Sequence, residues 1–431
     1  MRLERHGKRL TYSQDTFVDV LHHDTPVHGS RPFQYVHIDH TQLDIELISR
    51  RTGENLGRPW LTLAIDTWSR RIVGFYLTFD PPSYRSITMV VRDIVIRHQR
   101  LPEFFVVDNG KEFMSEAFEL FLNSLGTHLR FRPAGQPRHG AVMERIFGRC
   151  HSEYVHNLAG NTKAMKNVRM TTGSHLPVNF AEWTLESMYF GLSHWAFEYY
   201  DTAIHPALDE TPRAAFIRGQ HESGARAHRQ ILPNRDFRIQ TCPPVDRGGE
   251  RHVNQQRGVK VNDHLYWAPE LADPKVRGRS WPVRYDPWDA SSVYVNVGER
   301  WIHARCRALA KLTRMTELER RVVTAEYTNS SKRISSPKQA EQRLREFLQT
   351  FTPTGALALE MERQEENKSL YSSLGMGAID SSEPARTSGC VDAIPVPVTA
   401  QHRIAPVTET DNFSSLHQEV DFDDLPDFET F

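Results

Sequence analysis

The sequence predicts an α/β fold: a mixed sheet with helices packed on it, then a small β-barrel, a helical segment and a disordered acidic tail. Three observations carry this. Between Phe33 and Phe79, short runs rich in β-branched and aromatic residues follow one another across turn-like stretches. From Ser83 the pattern alternates between helical spacing and strand-like runs. After Arg226 it breaks into brief β-like pieces separated by Gly, Pro and Asp, as a small barrel shows.

Residues 1–32 are polar, His-containing and without clear periodicity, a lead-in. YVHID, LDIELI, WLTLAID and RRIVGFYLTF then read as strands joined through TGENLGRP and TWSRR. SYRSITMVVRDIVIRHQ has helical spacing, EFFVVD reads as a strand, SEAFELFLNSLG as a helix and THLRF as a strand, and a helix is expected from about His139 to Asn157. Residues 161–177 read as a loop or insertion. AEWTLESMYFGLSHWAFEYYD and the segment after the Thr-Pro of DETPRAAF are helix-like and close a first domain, 33–225.

Residues 226–311 make the expected barrel, from GVKVNDHLYWA, WPVRYDP and SVYVNVGERWIHARC, with Arg226, Arg229, Arg235, Arg238, Arg247, Arg251, Arg257 and Lys260 giving it a basic leading edge. Residues 312–353 read as charged helices. Residues 354–431, poor in apolar residues and rich in Ser, Pro and Glu, read as a disordered linker and tail.

Composition narrows the function classes. The chain has 431 residues, enough for two or three domains, and 39% hydrophobic content, enough for a sizeable core. No apolar run approaches a membrane span and MRLERHGKRL lacks a signal-peptide core, so an intracellular, cytoplasmic, nucleoid-associated protein without membrane partners is expected. Four scattered cysteines fit neither a disulfide framework nor a cysteine zinc site. The net charge of −1 conceals an asymmetry: all 53 Lys and Arg precede Ile404, while the 28 residues from there on hold eight acids. A basic body with an acidic tail suits a nucleic-acid-binding body and a separate interaction tail.

Three acids sit in apolar surroundings. Asp39 ends YVHID, Asp108 ends EFFVVD, and Glu144 lies on the helix HGAVMERIFGRC. A carboxylate withdrawn from water needs compensation. A hard divalent cation supplies it, since Mg²⁺ takes a few carboxylates from different elements and keeps positions open for phosphate oxygens. Two such ions roughly 3.5–4 Å apart stabilise both the attacking and the leaving oxygen of an in-line phosphoryl displacement.

The stretch IDHTQLD with Asp39, VVDNGKEF with Asp108 and GAVMER with Glu144, the last two separated by 35 residues, resembles the D,D(35)E pattern of retroviral-integrase-type transposases. WLTLAIDTWSRRIVGF resembles the second and third strands of that core, and GQPRHGAVMERIFGR the loop and helix bearing its glutamate. EYYDTAIHPALDETPRAAF is similar to its closing segment, and the β-rich region after it resembles the barrel of Mu-type transposases, with the TnsB/TniA group the nearest in pattern. The resemblance implies an RNase H-like catalytic core with Asp39, Asp108 and Glu144 holding two Mg²⁺, for which Mn²⁺ can substitute. It also implies DNA 3′-end cleavage and strand transfer of transposon ends into target DNA, and self-association in a transpososome. A TnsC/TniB-like AAA+ ATPase and a partner endonuclease are its implied partners. That group carries helical end-binding domains ahead of the core; residues 1–32 show no helix-turn-helix pattern, so end recognition is expected from a missing segment or another chain.

Plainer readings compete. Asp108 before Asn-Gly also suits a turn, Glu144 also suits a surface acid paired with a neighbouring arginine, and Asp66 and Glu112 are rival ligands. His22, His23, His28, His37 and His40 lack metal-binding spacing. Lys111, Arg130, Arg132, Arg138, His139, Arg145 and Arg149 cluster around the acids and are candidate phosphate contacts. In EVDFDDLPDFETF, Phe422, Leu425, Phe428 and Phe431 alternate with acids, the composition of a docking peptide, and the resemblance assigns it to the ATPase. A non-catalytic assembly subunit, or an RNase H-type nuclease or retroelement integrase, are the alternative functions.

Overall fold

YVHIDHTQ alternates β-branched, aromatic and polar side chains and forms β1 (Tyr35–Gln42), whose first four residues are all buried. Burial on both faces marks a central strand. The computed structural model describes residues 28–108, 110, 116–133, 140–163, 176–224, 230–246, 248–262, 264–298, 300–306, 315–330 and 355–379.

The next elements are a small ribbon, β2 (Leu47–Ile48) and β3 (Asn55–Gly57), then β4 (Trp60–Asp66) and β5 (Ile72–Thr78). β3 falls inside the stretch expected to be only a turn. Helix α1 (Tyr84–His98) leads to β6 (Phe104–Val107), α2 (Glu116–Ser124) to β7 (His128–Phe131), and α3 (Ala141–Arg149) follows. The five-stranded sheet has the order β5-β4-β1-β6-β7, antiparallel from β5 to β1 and parallel from β1 to β7. This is the mixed sheet expected of the first domain.

Helix α1 lies against β5 and β4, burying almost every residue from Ser86 to Val95. Gly74 permits the approach, because a Cβ there would stand 2.8 Å from Ile94 Cγ1. The helix ends at Gln99, whose left-handed φ of 52° closes the last turn through a bond to the Val95 carbonyl. Just before it, half-buried His98 packs edge-on against Phe33 and tilted against Phe216. Burial first, then Arg71 and Arg97, lowers its pKa to about 3. A depressed folded pKa means that the stability this group contributes is present above its ordinary value and lost as pH falls through it. Unfolding free energy is therefore expected to fall by about 1.4 kcal/mol per pH unit below roughly pH 6 on account of this group. His98→Leu should flatten that slope in denaturant titrations at stepped pH, and an unchanged slope would place the acid-sensitive group elsewhere.

Beyond α3 the helical path continues through a π-helical turn, Cys150–Tyr154, and a 3₁₀ turn ending at Asn157. Helix α4 (Leu185–His194), capped by the Thr184–Ser187 box, runs into further π and 3₁₀ turns to Thr202, and α5 (Pro212–Ser223) starts from Thr211 and Pro212. A short α6 (Arg235–Thr241) packs on α1.

The β-rich region comprises β8 (Glu250–His252), β9 (Val259–Val261), β10 (His264–Tyr266), β11 (Ser280–Asp286), β12 (Asp289–Val297) and β13 (Arg300–Arg305). They form a four-stranded antiparallel sheet, β13-β12-β11-β8, and a separate β9–β10 ribbon over one core of Val253, Val259, Val283, Val293 and Ala304. Among the described residues the Trp267–Arg305 bridge, with backbone bonds of 3.0 and 3.1 Å, ties the end of the ribbon to β13, and no longer ladder closes the two into a barrel. Of the basic edge expected here, Arg226, Arg229 and Arg247 lie outside the described residues. Arg235 and Arg238 belong to α6, where Arg238 donates to the Gly377 and Ala378 carbonyls at 3.0 and 2.8 Å.

Helix α7 (Glu317–Ser330) falls in the expected helical segment. One expectation does not hold. Instead of a disordered linker from residue 354, Ala356–Ser373 forms helix α8, packed on α4 and α7. Tyr371 is fully buried, accepting the Leu77 N–H at 3.0 Å and donating to the Leu77 carbonyl at 2.8 Å, so it occupies the outer edge of β5. No helix among the described residues is long and apolar enough to cross a membrane.

Candidate active site

The site follows from strand register. β1 and β6 pair in parallel, Tyr35 with Phe104, Val36 with Phe105 and His37 with Val106. Carried two residues on, this register sets Asp39 beside Asp108 on one face of the sheet, because in-register residues of parallel strands point the same way. β6 and β7 pair Val107 with Phe131, and the Arg132 N–H donates to the Val107 carbonyl at 2.8 Å, so Arg132 is next in the row. Two acids and a guanidinium thus line up across three neighbouring strands.

Asp39 Oδ1 accepts the His40 N–H at 2.8 Å, and Oδ2 accepts Arg132 Nη2 at 2.8 Å in a half-buried ion pair. Asp108 Oδ1 accepts the Gly110 N–H at 3.0 Å, so the turn role and the position beside Asp39 coexist in one residue. Glu144 is exposed in the first turn of α3, a helix that packs on β1. A Cβ placed on Gly140 would stand 2.9 Å from Arg132 Nη1 and 3.6 Å from Glu144 Oε1. Arg132 and Glu144 therefore flank the bare face of Gly140, and Arg132 connects the Glu144 helix to Asp39.

The chemistry of the donors suits a hard divalent cation: carboxylate oxygens from three different elements, two of them adjacent by register. Their spacing here is looser than coordination needs. Among the described residues no group of three His, Cys, Asp or Glu side chains stands close enough to hold a metal ion. Arg132 supplies the positive charge at Asp39 instead.

The other sequence candidates separate. Lys111, Arg138, His139 and Glu112 lie outside the described residues, as do Phe422, Leu425, Phe428 and Phe431. Arg130 stacks over Phe104 at 4.1 Å and bonds the Tyr35 hydroxyl at 3.2 Å. Arg145 is exposed on α3, while Arg149 pairs with Glu153 at 2.7 Å and lies over the Tyr200 ring. Asp66, the rival ligand, is fully buried and caps the β4–β5 hairpin: it accepts the Ser69 N–H and the Phe33 N–H at 2.8 Å each. Burial pushes its pKa up to about 6 against those hydrogen bonds. His40 bonds Thr62 Oγ1 at 2.7 Å. The sequence reading missed Arg70, Tyr200 and His205, and weighed His28 only as a metal ligand; all four meet Arg145 and Arg149 around one cavity. Their separation along the chain left no local signal.

Residues 37–160 match the TnsB C-terminal domain family and residues 245–302 match the family Mu transposase, C-terminal. The transposase for transposon Tn552 of Staphylococcus aureus is 28% identical over 191 residues, covering 43% of this chain and 37% of that protein. The transposition protein TnsB of transposon Tn7 of Escherichia coli is 28% identical over 175 residues, covering 36% of this chain and 24% of that protein. The chain thus spans well under half the length of the curated relatives it matches. Among solved structures, a chain of the simian T-cell lymphotropic virus intasome in complex with a PP2A regulatory subunit aligns over 69% of this chain and 91% of its own at 13% identity. The HTLV-2 integrase catalytic core domain in complex with magnesium aligns over 44% and 99% at 16% identity. Their TM-scores, 0.31 and 0.28, are too low to bear on the site. The mixed sheet and the β-rich unit after it are thus matched, in that order, by the TnsB C-terminal domain family over residues 37–160 and the Mu transposase C-terminal family over residues 245–302.

Proposed function

We propose that this chain is the catalytic subunit of a DNA transposition reaction, cutting DNA at 3′ ends and joining those ends to target DNA, with Asp39, Asp108 and Glu144 as the ligands of divalent cations. The observation that carries the reading is the in-register placement of Asp39 and Asp108, with the Glu144 helix packed on the strand that bears Asp39. Bound there, Mg²⁺ or Mn²⁺ would polarise the scissile phosphodiester and lower the pKa of an attacking water. The chain's own groups do the rest. The His40 N–H orients one oxygen of Asp39 and Arg132 balances the charge on the other. The turn after β6 fixes Asp108 through the Gly110 N–H. Arg145 and Arg149, on the same helix as Glu144, are placed to meet phosphates flanking the reacting one, and Arg130, with Lys111, Arg138 and His139, extends the proposed DNA contacts.

The names of the relatives, a transposase and a transposition protein, support DNA as substrate, and self-association in a transpososome belongs to the same proposal. The alternating Phe and acid pattern at the C-terminus supports docking to an AAA+ ATPase, and a separate endonuclease for the second strand belongs to the same proposal.

A second reading has one observation in its favour. The Arg132–Asp39 ion pair, with no gathered three-ligand group among the described residues, is what a DNA-binding assembly subunit with a retained scaffold would show. A joining assay separates the two: labelled, pre-cleaved transposon-end DNA and target DNA are incubated with Mg²⁺, with and without chelator and with and without a candidate ATPase. Chelator-sensitive joining is expected. Binding without joining would support the scaffold, and degradation without joining would indicate a nuclease.

A further inference from the structure

On the face of α3 next to Glu144, a cavity of about 430 Å³ is lined by His28, Arg70, Arg145, Arg149, Tyr200 and His205 over an apolar floor that includes Ile65 and Ile146, with no acid among the described residues of its lining. Arg149 is balanced by Glu153 at 2.7 Å. Arg70 and Arg145 form no ion pair with a carboxylate among the described residues. Gathering like charges is unfavourable unless an anion completes the set, so the arrangement is built for one.

Three details show how it is held. Arg70 sits in the β4–β5 hairpin at a left-handed φ of 61°, a strained backbone for a side chain of this size, and Tyr200 fixes that conformation by donating its hydroxyl to the Arg70 carbonyl at 2.8 Å. The Tyr200 ring lies under the Arg149 guanidinium at 4.9 Å. Burial first, then Arg70, holds the His28 pKa down to about 4, and His205 is lowered by burial and by Arg70, Arg149 and Arg145. Both imidazoles are thus neutral at physiological pH, each with one N–H to donate and no charge of its own to balance.

Guanidinium forks and neutral N–H donors around one small cavity match a tetrahedral oxyanion. Glu144 and Arg145 are consecutive on α3, so a strand whose reacting phosphate meets Glu144 carries a neighbouring phosphate past Arg145. We infer that this cavity is a phosphate pocket that clamps a non-reacting phosphodiester of the DNA strand being processed. The inference deepens the proposed function and rests on DNA being the substrate.

The test measures duplex DNA affinity of the full chain by fluorescence anisotropy across a KCl series. Arg145→Gln, Arg70→Gln and the double variant are compared with Arg51→Gln, which removes an exposed arginine paired with Glu362 far along the chain. Arg145 is exposed, so its variant should fold as the wild type does, and thermal melting checks this for all. The double variant is expected to bind about 10- to 100-fold more weakly at ~0.1 M salt, with a log–log salt slope smaller by one to two. Arg51→Gln should stay within about twofold with its slope kept. Unchanged affinity and slope in the double variant overturn the clamp while leaving DNA as the substrate. A wild-type chain that binds no duplex overturns the DNA reading itself and the clamp with it. If millimolar inorganic phosphate raises the wild-type melting temperature but not the double variant's, while both bind DNA alike, the pocket takes free phosphate and the clamp is again overturned.

Discussion

Asp108→Asn is expected to abolish joining of pre-cleaved ends, a loss of at least about 10³-fold, while duplex binding stays within about twofold. Asn keeps the shape and can still accept the Gly110 N–H that sets the turn, so the strand end should survive. What it loses is the negative charge beside Asp39, and with it one of the proposed cation ligands. Single-turnover joining with labelled ends, paired with anisotropy, measures both quantities. Joining by Asp108→Asn at more than a tenth of the wild-type rate would remove Asp108 from the chemistry and leave it the turn residue that its Asn-Gly context also fits.

Tyr371→Ala is expected to have the largest effect on stability. The ring is fully buried, tilted against Tyr76 at 4.8 Å and Trp288 at 5.6 Å, and its hydroxyl serves both free backbone groups of Leu77. Truncating a large buried aromatic side chain costs about 3–5 kcal/mol, and Tyr371→Phe, which leaves the Leu77 groups without that partner, about 1–3 kcal/mol. Denaturant unfolding checks both. A change below about 1 kcal/mol for Tyr371→Ala would mean that α8 contributes little to the core of this sheet.

That helix shows where the sequence was misleading. ALALEMERQEENKSLYSS is polar enough to read as tail, yet Glu362, Gln364, Glu366 and Asn367 are buried. Each has a partner distant in sequence: Glu362 bonds Ser49 and Arg51, Glu366 accepts the Arg50 N–H, the Gln364 amide nitrogen donates to Asp80, and Asn367 accepts the Phe79 N–H and donates to Asp80. Composition counts such residues as solvent-facing because it cannot see the partners.

The strands were legible for the opposite reason. WLTLAID, apolar but for Thr62 and the closing Asp66, and the apolar part of EFFVVD are hydrophobic because the sheet is covered on both sides, and that leaves a direct mark on the sequence. The acids stood out against the same background. Arg132 did not, since its position beside Asp108, and its reach to Asp39, depend on parallel register between strands separated by whole helices. It read as a phosphate contact, and in the structure it pairs with Asp39. The hairpin partners of the β-rich unit were equally visible, whereas the arrangement of its ribbon against the four-stranded sheet depends on long-range pairing that no local pattern encodes.

The central claim is that Asp39, Asp108 and Glu144 share divalent cations. A crystal of the chain with bound DNA, soaked in Mn²⁺ and measured at the manganese absorption edge, tests it most directly. The account predicts an anomalous peak within about 2.3 Å of carboxylate oxygens of both Asp39 and Asp108, with Arg132 displaced from Asp39 and Glu144 drawn toward the ions. No peak there at saturating Mn²⁺, with Arg132 still bonded to Asp39, would contradict it.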